Sequence, residues 1–294
     1  MLNLAPWYYR NLLGENKILL SPLFFEITLL NGQTQIEAVI SLKGNLKPSW
    51  LSISDIYRNC DGSGTDTHKN ISIYKAISEA LERWAFYELV DTKNNQFAFD
   101  ADPTTNGMAA FPHFNASRAR KGAQTEAIER WAIHEFNRYH LPISKHHSLI
   151  EDLEHYEIIT PFSDFKVSLL SYKKDSFYVY GFAGGTTLNQ SFEKALVELD
   201  RNIRVLNPIY QKGIQDSSFL ETVDKSLIFF SKAEGHNVFK EKIAKAPKMI
   251  FNPNPKIICD QELKGPWSQY TKVWRYLLED SYFDTRKDIN FFMF

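Results

Sequence analysis

Apolar positions change period along the chain. Residues 18–42, ILLSPLFFEITLLNGQTQIEAVISL, hold two β-rich runs around Asn31-Gly32, a dipeptide that supplies positive φ at both centres of a tight turn. They predict an antiparallel hairpin. A second hairpin is predicted over 166–182, where VSLLSY and FYVYGF flank Lys173-Lys174-Asp175. Between and after these runs the apolar spacing turns helical, over roughly 70–90, 116–139 and 190–206. Further on, LIFFS at 227–231 reads as a strand and Pro253 with Pro255 as a loop. Trp267, Tyr270, Trp274 and Leu277 then follow helical spacing, as an inward-packing face does. Strands and helices mix without strict alternation, which places the chain in the α+β class with mixed or antiparallel sheets. No Pro-rich linker, low-complexity tract or compositional break interrupts it, so a single domain over residues 1–294 is expected.

Comparing the helical stretches with one another reveals a repeat. AISEALERWAFYE (Ala76–Glu88) and AQTEAIERWAIHE (Ala123–Glu135) share most positions and lie 47 residues apart. Each follows a segment that reads as a glycine turn, GSGTD at 62–66 and TNGMAAF at 105–111. A weaker third copy, GFAGGTTLNQSFEKALVELDRNIR, runs from Gly181 to Arg204 and puts Glu198 where Glu79 and Glu126 stand. The spacing is too irregular for a solenoid. It describes three glycine-turn-plus-helix units, spanning 62–204, around a shared centre.

Residues three and four apart share a helix face, so Glu79 neighbours Glu82 and Arg83 beside the stripe Ala76, Ile77, Ala80, Leu81 and Trp84. Glu126, Glu129 and Arg130 repeat that placement beside Ala123, Ala127, Ile128 and Trp131. Two readings stand. Glu79 with Arg83 and Glu126 with Arg130 form intrahelical ion pairs on solvated faces, worth about 0.2–0.5 kcal/mol each. Alternatively, the helices face each other across a cleft, with glutamates holding Mg2+ and arginines reaching the phosphates. Mg2+ suits the second, because it takes hard oxygen ligands and shares them among carboxylates, water and substrate phosphates. Glycine turns entering helices can also offer N–H groups to phosphate, but Gly62-Ser63-Gly64 is neither a Walker loop nor a dinucleotide fingerprint.

Composition narrows the function classes. Lys and Arg number 34 against 35 Asp and Glu, so there is no basic footprint for nucleic acid or an anionic membrane. No apolar run reaches the roughly 18 residues of a spanning helix, and the N-terminus has no secretory pattern. Cys60 and Cys259 suggest neither a disulfide framework nor a zinc pair, leaving reduced cytoplasm as the default location. No histidine stands at a metal spacing, His134, His146 and His147 included, and no Gly-x-Ser-x-Gly elbow or activated cysteine supports covalent catalysis. The aromatic content of 14% is compatible with a homodimer and equally with a generous core.

These segments resemble the YcaO family, whose first two helices carry a Glu-Ala-[Leu/Ile]-Glu-Arg signature behind glycine turns. The order of all three segments matches, including Asn106-Gly107-Met108-Ala109 and Lys194-Ala195-Leu196-Val197-Glu198. The resemblance implies a nucleotide site for ATP and Mg2+. Glu79, Glu82, Glu126, Glu129 and Glu198 would be metal ligands; Arg83, Arg130 and Lys194, with Ser63 and Asn106, would lie toward the nucleotide. Arg201 and Asn202 occupy the place where the family carries a glutamine, and Arg201 is read as a further phosphate contact. Family members phosphorylate a backbone amide oxygen of a peptide after a nucleophile attacks its carbonyl carbon, then expel phosphate to leave an azoline, thioamide or amidine. The end DTRKDINFFMF lacks the proline-rich tail of the azoline-forming branch, so azoline formation is the less favoured product. A peptide substrate delivered by a separate partner protein is expected; the alternative is a non-catalytic nucleotide-binding scaffold that supports another enzyme.

Overall fold

The structure is a computed structural model that describes residues 5–14, 17–48, 60–91, 95–113, 115–211, 222–251, 254–282, 288 and 290–292. Its described residues cluster into two compact units. The first comprises the residues up to Ala127 together with Ile257–Glu279; the second comprises Ile128–Lys256 with the residues from Asp280 onward.

In the first unit, β1 (Leu23–Thr28), β2 (Thr34–Ile40) and β3 (Gly62–Asp66) form an antiparallel sheet in that order. The β1–β2 hairpin is present, but its turn is longer than Asn-Gly alone requires. Thr28 pairs with Thr34, and among residues 29–33 only Gly32 takes a positive φ, of 80°. A second sheet has the order β4 (Met108–Pro112), β10 (Thr271–Leu278) and β9 (Ile257–Leu263). The helical face expected through Trp267, Tyr270, Trp274 and Leu277 is therefore incorrect. Trp267 lies in a short 3-10 turn over Pro266–Gln269, and Trp274 and Leu277 belong to β10. The run Thr-Lys-Val-Trp-Arg-Tyr is rich in β-branched and aromatic residues, and pairing on both sides of β10 overrides the chance 3.6 spacing.

Helix α1 spans Ala5–Tyr9, and α2, Lys69–Leu89, packs on the first sheet. Leu81, Trp84 and Phe86 of α2 join Leu12, Leu42, Phe99, Met108 and Trp267 in the core, where the Trp84 and Trp267 rings meet edge to face at 6.0 Å. The glycines of β3 explain how closely helix and sheet approach. A Cβ on Gly62 would stand 2.1 Å from the Ala76 carbonyl oxygen, and one on Gly64 2.1 Å from that of Ser72. GSGTD is thus a strand and not the turn read from its glycines; their role is to admit the helix backbone.

The second unit is built on the antiparallel sheet β5 (Ile143–His146), β6 (Leu153–Ile158), β7 (Lys166–Lys174) and β8 (Phe177–Gly185). The β7–β8 hairpin matches expectation, with Lys173 and Lys174 still in the strand and the turn at Asp175-Ser176. Helix α4, Leu188–Gln211, follows β8 and packs on it. The strand–helix contact of the first unit recurs: a Cβ on Gly181 would lie 2.3 Å from the Ala195 carbonyl oxygen. Ala195 stands fourteen residues after Gly181, as Ala76 does after Gly62. The third unit of the repeat is consequently also a glycine strand plus a helix.

Helices α5 (Thr222–Ser231) and α6 (Ala233–Ala244) complete this unit. LIFFS is helical and not a strand, because a short apolar run carries no period of its own and α5 buries Leu227, Ile228 and Phe230 together. The chain end is core: Phe292 is fully buried among Phe136, Tyr180, Phe230 and Phe239, at ring distances of 4.9 to 6.2 Å. Pro253 lies outside the described residues, and Pro255 is in irregular chain. Helix α3, Ala116–Asn137, crosses from one unit to the other without a break at Ala127 and Ile128. No described helix is long and apolar enough to cross a membrane.

Candidate functional site

The repeat's charged residues divide between the units. Ser63, Glu79, Glu82, Arg83, Asn106 and Glu126 belong to the first; Glu129, Arg130, Lys194, Glu198 and Arg201 belong to the second.

In the first unit, Gly62 and Gly64 turn the α2 face bearing Ala76 and Ala80 onto the sheet, which leaves Glu79 and Glu82 at its margin, half-buried. Glu79 accepts the Ser63 N–H at 2.8 Å and the Ser63 hydroxyl at 3.2 Å, so Ser63 is tied to the acidic face directly. Arg83 reaches Glu79 Oε1 at 3.9 Å, the i,i+4 pair that the surface reading anticipated. Glu82 is different. Burial pushes its carboxyl well above the ordinary range and the neighbouring Glu126 charge pushes it further, while Arg83 opposes both and the Ala110 N–H also favours the ionised form. Burial would lower the Arg83 pKa, but Glu79 and Glu82 outweigh it and raise that pKa. Two carboxylates, one on α2 and one on α3, thus disfavour each other's charge.

Asn106 is buried and occupied in loop structure. Its side-chain amide donates to Asp102 Oδ2 at 3.2 Å, and its N–H donates to the Thr104 hydroxyl at 3.1 Å. Beneath that loop Arg275, fully buried, donates to the carbonyls of Thr104 and Asp102 at 2.9 and 2.6 Å and lies 3.9 Å from the Phe99 ring centre. Gly107 holds the turn into β4, with φ of 68° and the Tyr276 carbonyl oxygen 1.8 Å from where a Cβ would sit.

In the second unit the same signature meets another environment. Glu129 Oε2 accepts the Gly184 N–H at 2.7 Å, and Lys194 Nζ donates to the Gly184 carbonyl at 3.1 Å, so one residue of β8 holds an acid by its N–H and a base by its carbonyl. Arg130 stays near its sequence neighbour, with Nε 3.7 Å from Glu129 Oε1, and its guanidinium lies 5.3 Å from the Phe182 ring centre. Burial raises the Glu129 pKa, against Arg130, the Gly184 N–H and Lys194. Arg201 Nη1 donates to both oxygens of Glu198, at 3.1 and 2.8 Å.

Three features bear on whether Mg2+ and a nucleotide fit these residues. Among the described residues no three acidic, histidine or cysteine side chains converge as a ready-made metal cage. Mg2+, however, is usually held by one or two carboxylates plus phosphates and water, which carboxylate pairs such as Glu82 and Glu126 can supply. Arg130 Nε is buried without a hydrogen-bond acceptor, so donor capacity for an anion remains beside Glu129. Sequence reading missed Gly184, whose backbone N–H and carbonyl anchor Glu129 and Lys194, and Asp102 with Arg275, which set the Asn106 loop. The double glycine at 184–185 was the available signal for the first; the second pair lies 173 residues apart and carried none.

No family model matches the chain, and no curated protein matches it in sequence. Solved structures do match. The structure of YcaO from Methanopyrus kandleri bound with AMPPCP and Mg2+ aligns with a TM-score of 0.54 at 14% identity, covering 94% of this chain and 89% of that one. The E. coli microcin synthetase McbBCD complex aligns at 0.55 and 12% identity, covering 87% and 86%. The chain therefore has a YcaO-like fold, of the α+β class read from its sequence.

Proposed function

We propose that this protein is an ATP- and Mg2+-dependent enzyme that activates a backbone amide of a peptide, giving an azoline, thioamide or amidine. What carries the reading is the charge of Glu126 on α3 beside the buried Glu82 on α2, a repulsion that a divalent cation bound to both would relieve. Likeness in fold to a YcaO bound with AMPPCP and Mg2+ supports it. In this reading Glu79, Glu82, Glu126, Glu129 and Glu198 bind Mg2+. Arg83, Arg130, Lys194 and Arg201 bind phosphate oxygens, while Ser63 and Asn106 hold the surrounding backbone. ATP supplies the phosphoryl group that turns a poor amide-oxygen leaving group into phosphate. The protein's part is to position reactants and stabilise negative charge with fixed cations. The peptide arrives with a separate partner protein, and the chain works in the cytoplasm as one domain.

A second reading, a nucleotide-binding scaffold without catalysis, is favoured by one observation: Arg201 engages both oxygens of Glu198 and so competes with metal for that carboxylate. Calorimetric titration with AMPPCP, with and without Mg2+, tests both. Mg2+-dependent binding that falls at least tenfold in Glu82→Gln and Glu129→Gln is expected, and its absence in folded protein sinks both readings. Phosphate release with a peptide substrate then separates the enzyme from the scaffold.

A further inference from the structure

Arg275 belongs to neither acidic helix and to no part of the repeat. It stands on β10 opposite Met108 of β4, fully buried. Burying a guanidinium is costly unless its N–H groups find acceptors and its charge is matched, and an apolar side chain often fills such a position at least as stably. What Arg275 holds has to account for it. Nη1 donates to the Thr104 carbonyl at 2.9 Å and Nη2 to that of Asp102 at 2.6 Å, with the Phe99 ring centre 3.9 Å away. Burial lowers the pKa of the guanidinium, and Asp102, Cys259 and Glu126 oppose that from longer range. The next residue of the strand, Tyr276, gives its N–H to the Gly107 carbonyl at 2.7 Å. Two consecutive residues of β10 therefore fasten both ends of the loop from Asp102 to Gly107. Between those ends the Asp102 carboxylate accepts the Thr104 N–H, the Thr104 hydroxyl and the Asn106 amide, at 2.9, 2.6 and 3.2 Å. Lysine could not replace the clamp, because two carbonyls of different residues are spanned by a planar fork and not by a point charge.

The clamped loop touches both acidic helices. It runs directly into β4, where the Ala110 N–H favours the ionised form of Glu82 on α2. Its last residue meets α3: a Cβ on Gly107 would lie 3.1 Å from that of Ala127, the neighbour of Glu126. We propose that Arg275 is a positioning residue for Mg2+ at the Glu82 and Glu126 carboxylates. By fixing residues 102–107 it sets where β4 presents the Ala110 N–H and where the Asn106 loop rests on α3. The inference rests on the nucleotide reading above and adds to it a residue that touches neither metal nor nucleotide.

Arg275→Lys gives up the fork while keeping an N–H donor. Under conditions where urea unfolding shows the variant fully folded, it should raise the Mg2+ concentration for half-maximal AMPPCP binding at least fivefold. AMPPCP affinity at saturating Mg2+ should stay within twofold of wild type, and amide exchange at Asn106, Gly107 and Ala110 should quicken. An unchanged Mg2+ midpoint in the folded variant overturns the proposal, and so does a loss of affinity that saturating Mg2+ does not restore. A wild-type measurement decides the matter if the variant does not fold. There the guanidinium N–H resonances of Arg275 should shift when Mg2+ and AMPPCP are added together, because the loop it holds meets both helices that bind them; resonances unmoved by the ligands overturn the proposal. Wild-type protein that binds no AMPPCP at any Mg2+ concentration sinks the nucleotide reading and this inference with it, a pattern distinct from wild-type binding with an unaltered midpoint in Arg275→Lys.

Discussion

The sequence Glu-Ala-[Leu/Ile]-Glu-Arg occurs twice, and its second glutamate, raised by burial in both units, has different charged neighbours in each. Glu82 faces another carboxylate, Glu126, and burial makes that repulsion costly. Glu129 is also buried, but a backbone N–H, Arg130 and Lys194 favour its charge. Identical motifs therefore do not specify identical electrostatics; what each helix packs beside decides. Burial raises both carboxyls; in the first unit a second carboxylate adds to the shift, while in the second Arg130, a backbone N–H and Lys194 oppose it.

The largest expected effect tests whether both copies rest on the same steric contact. Gly62→Ala and Gly181→Ala each drive a Cβ into helix backbone, at 2.1 and 2.3 Å, and should each lose about 3 kcal/mol or more in urea unfolding. Gly44→Ala, with nothing within 4 Å, should stay within about 0.5 kcal/mol. A mild Gly62→Ala beside a severe Gly181→Ala would mean the two copies are not built alike.

Acid should separate the units next. Burial holds the His155 pKa down to about 4, with the His146 charge adding to it, so the folded second unit resists charging this ring. Stability contributed by neutral His155 is full above the unfolded value near 6.5 and is lost as pH falls toward 4, on the order of 3 kcal/mol. His155→Gln should flatten that limb of a urea-midpoint series. Glu154 acts further down: partial burial pushes its pKa up, but hydrogen bonds from Lys240 and Lys145 bring it to about 2. Its contribution is present above 4.5 and lost as pH falls toward 2.

Glu82 carries the opposite sign. With its folded pKa raised, stability is highest below the unfolded value of 4.5 and falls as pH rises through the folded one. Glu82→Gln should thus stabilise the ligand-free protein at neutral pH while costing at least tenfold, about 1.4 kcal/mol, in Mg-nucleotide affinity. Glu129→Gln should cost similar affinity with a smaller gain in stability, because its carboxyl is also raised but is opposed by Arg130, the Gly184 N–H and Lys194. If both variants behave alike, the contrast between the two environments is wrong. Smallest of all, the long, half-exposed pair of Arg83 with Glu79 should contribute about 0.5 kcal/mol or less in a double-mutant cycle that separates it from the effect of Arg83 on Glu82.

Long helices and hairpins were legible because their periods are sustained: α2 and α3 begin and end within about two residues of the stretches read from spacing. The acidic signature was legible because it repeats. LIFFS and the Trp267–Leu277 stripe misled for the same reason, each offering too few residues for a period to be distinguished from chance. Glycine was recognised but given the wrong task. Its common use in turns hid a close approach of strand and helix, visible only when Gly62 is set against Ala76 and Gly181 against Ala195. The environment of each glutamate was not legible, because Ala110 and Gly184 act through backbone N–H groups whose position no side chain announces.

Because glycine lets strand backbone touch helix backbone, the rotational setting of α2 and α4 is decided by hydrogen-sized side chains at Gly62, Gly64 and Gly181. The acidic residues inherit that direction, and Glu79 and Glu129 add hydrogen bonds from strand N–H groups to it. The frame and the chemistry thus rest on different residues: glycines set how closely each helix meets its strand, and substitutions among Glu82, Glu126 and Glu198 leave those close contacts in place.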